Sequence, residues 1–278
     1  CGLSLCGVFF SLIAYLAHKG AGSISLTLLF GETPPLQALL LQQRVFDGLF
    51  PAVAGTFVLV CLSIALAVPL GVATGIYMAE YAGARTKGLF NLVFDVLAGI
   101  PSILVGLFGF ALAIFLHKHY SSEIQPCLLI SALALAFLVL PYIIRTTQAA
   151  LEGIPGEIRL TALALGATKT QNLFHVLIPQ SLSGMLSGLI LAIGRCAEDT
   201  AVIMLTGVVV SAGLPKSLLG PYEALPFYIY YISSQYAGPE ELLRGYGASL
   251  ILMLLCTALF LAAFLIKKRL TYLALYRP

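Results

Sequence analysis

Six long, mostly apolar stretches, near 2–17, 51–79, 88–116, 125–146, 182–208 and 247–266, run through this sequence of 278 residues. A hydrocarbon core about 30 Å thick is crossed by roughly 20 helical residues rising about 1.5 Å each, so these stretches read as membrane helices. Composition points the same way. Apolar residues make up 60% of the chain and charged residues 10%, with a mean hydropathy of +1.00, against about 45–50% and 25% in soluble domains. A water-soluble fold cannot bury that much apolar surface. The expected fold is an all-α integral membrane protein of about six transmembrane helices. No charged linker or low-complexity tract divides it, and residues 1–278 are read as one domain.

The formal charge of +3 is small and the basic residues are dispersed, so the chain carries no electrostatic footprint for nucleic acid. Their placement suits a membrane topology instead. Assigning connections to alternate sides puts nine basic residues, Arg85, Lys87, Arg145, Arg159, Lys169, Lys267, Lys268, Arg269 and Arg277, on one side. Five, Lys19, Arg44, Lys118, Lys216 and Arg244, fall on the other. Cytoplasmic loops carry the excess of Lys and Arg, which places both termini in the cytoplasm. The six cysteines, at 1, 6, 61, 127, 196 and 256, lie nearly all in apolar stretches without a C-x-x-C pair and read as small packing residues. The sequence opens at Cys1 without a methionine, which leaves room for residues ahead of it. The run Gly2 to Ala17 has the length of a signal-peptide core, but no clear cleavage pattern follows, and a first membrane helix is the preferred reading.

In lipid, small residues let helix backbones approach where no hydrophobic effect drives them together. Gly71 and Gly75 form one such pair, and Gly184, Gly188, Ala192, Cys196 and Thr200 recur every fourth residue along the fifth stretch, which is expected at the centre of a bundle. Pro69, Pro101 and Pro141 each remove a backbone hydrogen bond inside an apolar stretch. Such kinks suit helices around a pathway, and equally plain bundle packing.

Between the fourth and fifth stretches, Leu151–Gln180 is long enough to fold on the cytoplasmic side. Leu160, Leu163, Ala164 and Ala167 share one face at helical spacing, Gly166 is placed to stop that helix, and Pro179 to open the next. An apolar face there either lies against headgroups or is covered by a partner. The run Leu160-Thr161-Ala162-Leu163-Ala164-Leu165-Gly166-Ala167, followed by Val176-Leu177-Ile178-Pro179, resembles the coupling loop of bacterial ABC importer permeases: E-A-A, a glycine, then an apolar-x-apolar-Pro ending. Ala162, Gly166, Val176, Ile178 and Pro179 match, whereas Leu160 replaces the glutamate and Thr161 the first alanine. The resemblance implies a MetI-like permease with a cytoplasmic coupling helix between its fourth and fifth spans. It also implies that Leu160, Ala162, Leu163, Gly166, Ala167 and Pro179 engage a nucleotide-binding subunit. The chain lacks a G-x-x-x-x-G-K-[ST] loop, so it is expected to bind no cofactor itself, with ATP and Mg on a separate ATPase chain.

Three further segments resemble the phosphate permeases of the PstA and PstC types: Gly71–Tyr81, Ala98–Phe108 with its Pro101-Ser102 step, and Gly194–Ala201. In the last, Glu198 stands for the family glycine and Asp199 for its glutamate. Ala224–Tyr230 together with Gly245–Ala248 looks more like the PstA type. The likeness covers residues 50–266. It implies import of phosphate across the bacterial inner membrane, with sulfate, molybdate or tungstate as alternatives. It also implies a PstB-like ATPase, a PstC-like second permease and a PstS-like extracytoplasmic phosphate-binding protein. Phe227, Tyr228, Tyr230 and Tyr231 in the loop Ser211–Gly245 offer a docking surface for that protein, or an interfacial aromatic belt.

Arg195 lies about 13 residues into its apolar stretch, roughly 20 Å deep, where a cation costs at least about 2.5–3.5 kcal/mol. It must face protein, water or a counter-charge. Glu198 and Asp199 follow at helical spacing on the same face. Two readings stay open: a self-neutralising pair that keeps the bundle in register, or an anion route in which the guanidinium fork takes phosphate oxygens. An ionised Asp199 would accept the O–H that phosphate carries near neutral pH and sulfate lacks, discriminating between them. Thr200 and Ser102 complete the candidate pathway, although Ser102 can also bond back to its own helix. His117 and His119 have no third ligand nearby, and Asp95 is placed at a membrane interface. A bilayer enzyme would need an H-E-x-x-H or a Ser/His couple, and neither is found. A proton-coupled secondary transporter would often show paired halves, and no internal repeat is detected.

Overall fold

Lipid offers the backbone no hydrogen-bond partner, and the described residues meet that demand almost wholly as helices. The computed structural model describes residues 2–35, 37, 45, 48–121 and 125–276; Cys1, Arg44 and Arg277, used in the readings above, lie outside the described residues. In order the helices are α1 (Gly2–Gly20), α2 (Leu26–Phe30), α3 (Phe50–Glu80), α4 (Ala84–Ala98), α5 (Ser102–His119) and α6 (Leu128–Glu152). Then come α7 (Gly156–Ala164), α8 (Lys169–Glu198), α9 (Thr200–Thr206), α10 (Leu225–Gln235) and α11 (Pro239–Tyr276). Six of them are long and apolar enough to cross a membrane, α1, α3, α5, α6, α8 and α11, as expected in number.

The boundaries differ from the sequence reading in three places, each for a local reason. The third stretch is two helices, because Pro101 disfavours helical backbone at Ile100 and α4 closes at Gly99, whose N–H bonds back to Asp95 O and Val96 O. Pro101 therefore sits in a break rather than a kink, while Pro69 and Pro141 do lie inside α3 and α6. The fifth stretch stops at Glu198, with α9 starting afresh after Asp199. The expected loop Ser211–Gly245 holds α10, which starts with Pro226 in its first turn, and the beginning of α11.

The chain divides into two compact units, one of Cys1–Cys61, Gly106–Ala134 and Ala197–Thr257, the other of Leu62–Val105, Leu135–Cys196 and Ala258–Pro278. In the first, Leu28, Leu49, Ala52, Leu225, Ala248 and Ile251 form a core cluster. Buried Thr56 ties α10 to α3 by accepting from Leu225 N at 2.9 Å while donating to Ala52 O. Gly106 and Gly109 bring α5 against α9: a Cβ on Gly106 would stand 3.0 Å from Ala201 O, and one on Gly109 2.6 Å from Thr206 Cγ2.

In the second unit α6 receives two glycine faces. A Cβ on Gly71 would meet Ile143 at 2.7 Å, one on Gly75 Thr147 at 2.6 Å, and one on Gly184 Ala150 at 2.7 Å, while Gly188 lies against Thr146. The small-residue spacing thus does pack helices. It encloses α6 more than α8, however, with 67% of an apolar 18-residue stretch of α6 buried against 28% in α8. The ridge lines one side of α8, whereas α6 is approached by both α3 and α8. Two ion pairs, Lys87–Glu152 at 2.6 Å and Arg145–Asp95 at 3.1 Å, join α4 to α6. Both are substantially exposed, and such pairs contribute at most about 1 kcal/mol.

These contacts set opposite signs for two glycine substitutions. Gly75→Ala forces a side chain into Thr147 and the Ile144 carbonyl, and is expected to lower stability in detergent by about 1–3 kcal/mol. Gly88→Ala, inside α4 with nothing within 4 Å of its Cβ, is expected to raise it by about 0.5–1 kcal/mol. Denaturation of the purified protein reads both.

Candidate functional site

The coupling segment is built by a short helix and its two terminators. Gly156–Ala164 ends in a paired C-terminal closure, with Gly166 N donating to Leu163 O at 3.0 Å and Ala167 N to Ala162 O at 3.1 Å. That closure requires left-handed backbone, and Gly166 supplies it with φ +87°. Thr168 then opens α8 through a capping box with Gln171. Leu160 is 64% exposed and Leu163 and Leu165 are exposed beside it, whereas Ala162 and Ala167 are half-buried. No residue of α7 is buried. An apolar face therefore stands uncovered, as the spacing predicts.

Pro179 stands in the first turn of the α-helical run Ile178–Glu198, as expected, and that run continues without a break from a π turn at Leu173–Leu177 in which Ile178 N bonds to Leu173 O. A proline ring clashes with the carbonyl four residues back, and one wide turn absorbs that clash without ending the helix.

Arg159, on the inner side of α7, carries contacts that no motif announces. Its Nη1 donates to Glu80 Oε1 at 2.6 Å, Nε to Ile154 O at 3.3 Å, and Nη2 to Leu151 O. Its own carbonyl accepts from Asn172 Nδ2 at 2.9 Å. Glu80, Arg159, Leu163, Lys169 and Asn172 help line a cavity of about 170 Å³.

The residues of the expected anion route are spread over several helix ends. Arg195 lies half-buried in the last turn of α8, and Glu198, exposed, is that helix's final residue. Asp199 is 5% exposed and has left the helix, with φ −77° and ψ 100°. Its Oδ1 accepts from Val202 N at 3.0 Å, capping α9, whose first residue is Thr200. Helical spacing from Arg195 therefore reaches Glu198 but not Asp199. Ser102 is the first residue of α5 and half-buried. Arg195 and Ser102 fall in one compact unit, Glu198, Asp199 and Thr200 in the other.

One further buried carboxylate escaped the sequence reading. Glu223, 7% exposed, accepts from Gly213 N at 2.7 Å and so closes the loop between α9 and α10. Burial pushes its carboxyl above the usual range, outweighing the backbone N–H groups of Gly213 and Ala212. Only an acidic residue in an otherwise apolar and aromatic run hints at it.

Among the described residues the structure thus has six apolar spans with a short exposed helix between the fourth and fifth. The fold matches an inward-facing structure of the MetNI methionine ABC transporter with a TM-score of 0.58 at 20% identity, over 86% of this chain and 99% of that one. The crystal structure of an amino acid ABC transporter with histidines follows at 0.52 and 17%, over 85% and 99%. The chain belongs to the family of binding-protein-dependent transport system inner membrane components, whose pattern matches residues 71–272. It is similar to the phosphate transport system permease protein PstA of Haemophilus influenzae, 30% identical over 267 residues, 95% of this chain and 88% of that protein. PstA 1 of Mycobacterium tuberculosis strain H37Rv is 34% identical over 230 residues, 82% of this chain and 72% of its own length. The family expected from the motifs is thus the family found.

The cap at Asp199 makes its own prediction. Asparagine caps as well as aspartate, so Asp199→Asn is expected to hold stability within a few tenths of a kcal/mol, and Asp199→Ala to lose about 0.5–2 kcal/mol. Thermal unfolding of both variants beside the parent compares them.

Proposed function

We propose that this chain is the PstA-type permease subunit of an ATP-driven importer that carries inorganic phosphate across the bacterial cytoplasmic membrane. The observation that carries this reading is similarity to PstA proteins along nearly the whole chain, 95% of it in the Haemophilus influenzae case. The chain acts as one permease domain beside a PstC-like subunit, with both termini in the cytoplasm. A PstS-like binding protein delivers phosphate from outside, and exposed Tyr230 and Tyr231 on α10 belong to the surface that meets it. A PstB-like ATPase seats on the uncovered face of α7 at Leu160 and Leu163. Ala162, Gly166, Ala167 and Pro179 shape the segment that presents this face. Phosphate is favoured over sulfate, molybdate or tungstate.

Along the route, the Arg195 guanidinium offers paired donors to phosphate oxygens, and Ser102 and Thr200 supply hydroxyls. An ionised carboxylate accepts several hydrogen bonds, so Asp199 can cap α9 and still take a phosphate O–H. A fully deprotonated oxyanion has no proton to give there and meets repulsion instead. Glu198, exposed at the end of α8, is the remaining residue of the proposed route.

Uptake of labelled phosphate by the reconstituted four-component complex tests the route. Arg195→Lys keeps the charge but loses the fork, and uptake is expected to fall about tenfold or more with assembly intact. The double variant Arg195→Gln/Asp199→Asn is expected to assemble and not transport. Uptake near the parental rate would remove Arg195 from the substrate route and leave it a packing residue. Gly166→Leu tests the coupling segment: it strains the φ +87° closure and is expected to abolish uptake while the membrane helices still insert. Normal assembly and uptake would disprove that role.

A further inference from the structure

α7 presents its apolar side chains outward and contributes no buried residue. Of its apolar residues only half-buried Ile158 joins a core, that of Leu151, Ile154, Leu173 and Leu177. Apolar contact therefore contributes little to holding α7 against the membrane helices. The polar contacts that do join it converge on one residue. Through its side chain Arg159 reaches Glu80, the last residue of α3, and two carbonyls, Leu151 O in the last turn of α6 and Ile154 O two residues beyond it. Through its main chain it accepts from Asn172 at the start of α8. Glu80 and Arg159 have side chains only 18% and 25% exposed, unlike the two ion pairs of α4.

The chemistry suits a joint. A guanidinium is planar and always charged, and it donates in several fixed directions at once, so it holds three acceptors in one geometry. The end of α6 is where helix carbonyls lack intrahelical partners and the helix dipole is negative, a setting that favours a cation. Charge-assisted bonds to Glu80 are stronger than neutral ones.

We infer that Arg159 is the positioning residue that couples movement of α7 to the cytoplasmic ends of α3 and α6, its guanidinium bridging Glu80 and the two carbonyls. This rests on the importer reading above, in which a separate ATPase moves α7. The role differs from ATPase docking, which uses the exposed side chains of Leu160 and Leu163 rather than the part-buried guanidinium. When the joint is loosened, the ATPase still binds and hydrolyses ATP, but the membrane helices no longer follow.

The readout is phosphate imported per ATP hydrolysed, measured in proteoliposomes holding this chain, the second permease and the ATPase, with binding protein supplied. Arg159→Lys keeps a charge for Glu80 but gives up the carbonyl bonds, and Glu80→Ala keeps the carbonyl bonds but releases α3. Each is expected to lower the ratio about fivefold or more while ATP hydrolysis per assembled complex stays within about twofold. If the ratio stays parental in both variants, including the case where less complex assembles, Arg159 only stabilises the fold and the inference is overturned. Should Arg159→Lys fail to assemble, Glu80→Ala decides alone, since it leaves α7 bonded to α6. A parental complex that imports no phosphate would count against the importer reading instead. The joint is then read with whichever solute stimulates the ATPase.

Discussion

An unpaired backbone N–H or C=O in hydrocarbon costs several kcal/mol, and that penalty shapes each point where this chain stops being a regular helix. Within a long helix the demand is met automatically. At an end it needs a substitute, and the breaks described here each have one. Gly99 N closes the carbonyls at the end of α4, and the Pro101 carbonyl starts the α5 ladder by accepting from Leu104 N. The Asp199 carboxylate stands in for a missing carbonyl ahead of α9. Gly166 folds the end of α7 back on itself, and a π turn carries α8 past Pro179.

With the backbone satisfied, packing decides how closely helices approach. Glycines at 71, 75, 184 and 188 leave room for Ile143, Thr147, Ala150 and Thr146 on α6, so α6 is the most enclosed span. Aliphatic side chains at those positions would hold the helices apart, and in lipid no hydrophobic force would close the gap. α7 belongs to a different regime. It lies between spans, has no buried residue, and depends on directed polar bonds rather than close packing.

This difference explains what was legible in the sequence. The number of spans follows from apolar length, and the coupling helix with its glycine terminator follows from local spacing and one residue's backbone freedom. The helix pairs that use Gly71, Gly75, Gly184 and Gly188 follow from a four-residue repeat. The breaks at Ile100 and Asp199 were not legible, because a hydropathy window averages over the single residue that ends a helix. A proline in an apolar run reads equally as kink or break. α10 hides because its aromatic and polar residues resemble those of an interfacial loop. The Arg159–Glu80 bond spans 79 positions and exists only once α3 and α7 are folded together. For Arg195 and Asp199 the sequence supplied the residue types but the wrong local geometry, since the helix it extended through Asp199 ends one residue earlier.

The uncovered face of α7 has an evolutionary consequence. Residues whose neighbours lie within the same chain drift under the constraint of those neighbours, as Gly75 must with Thr147. Leu160 and Leu165, 64% and 85% exposed, are under no such packing constraint within this chain.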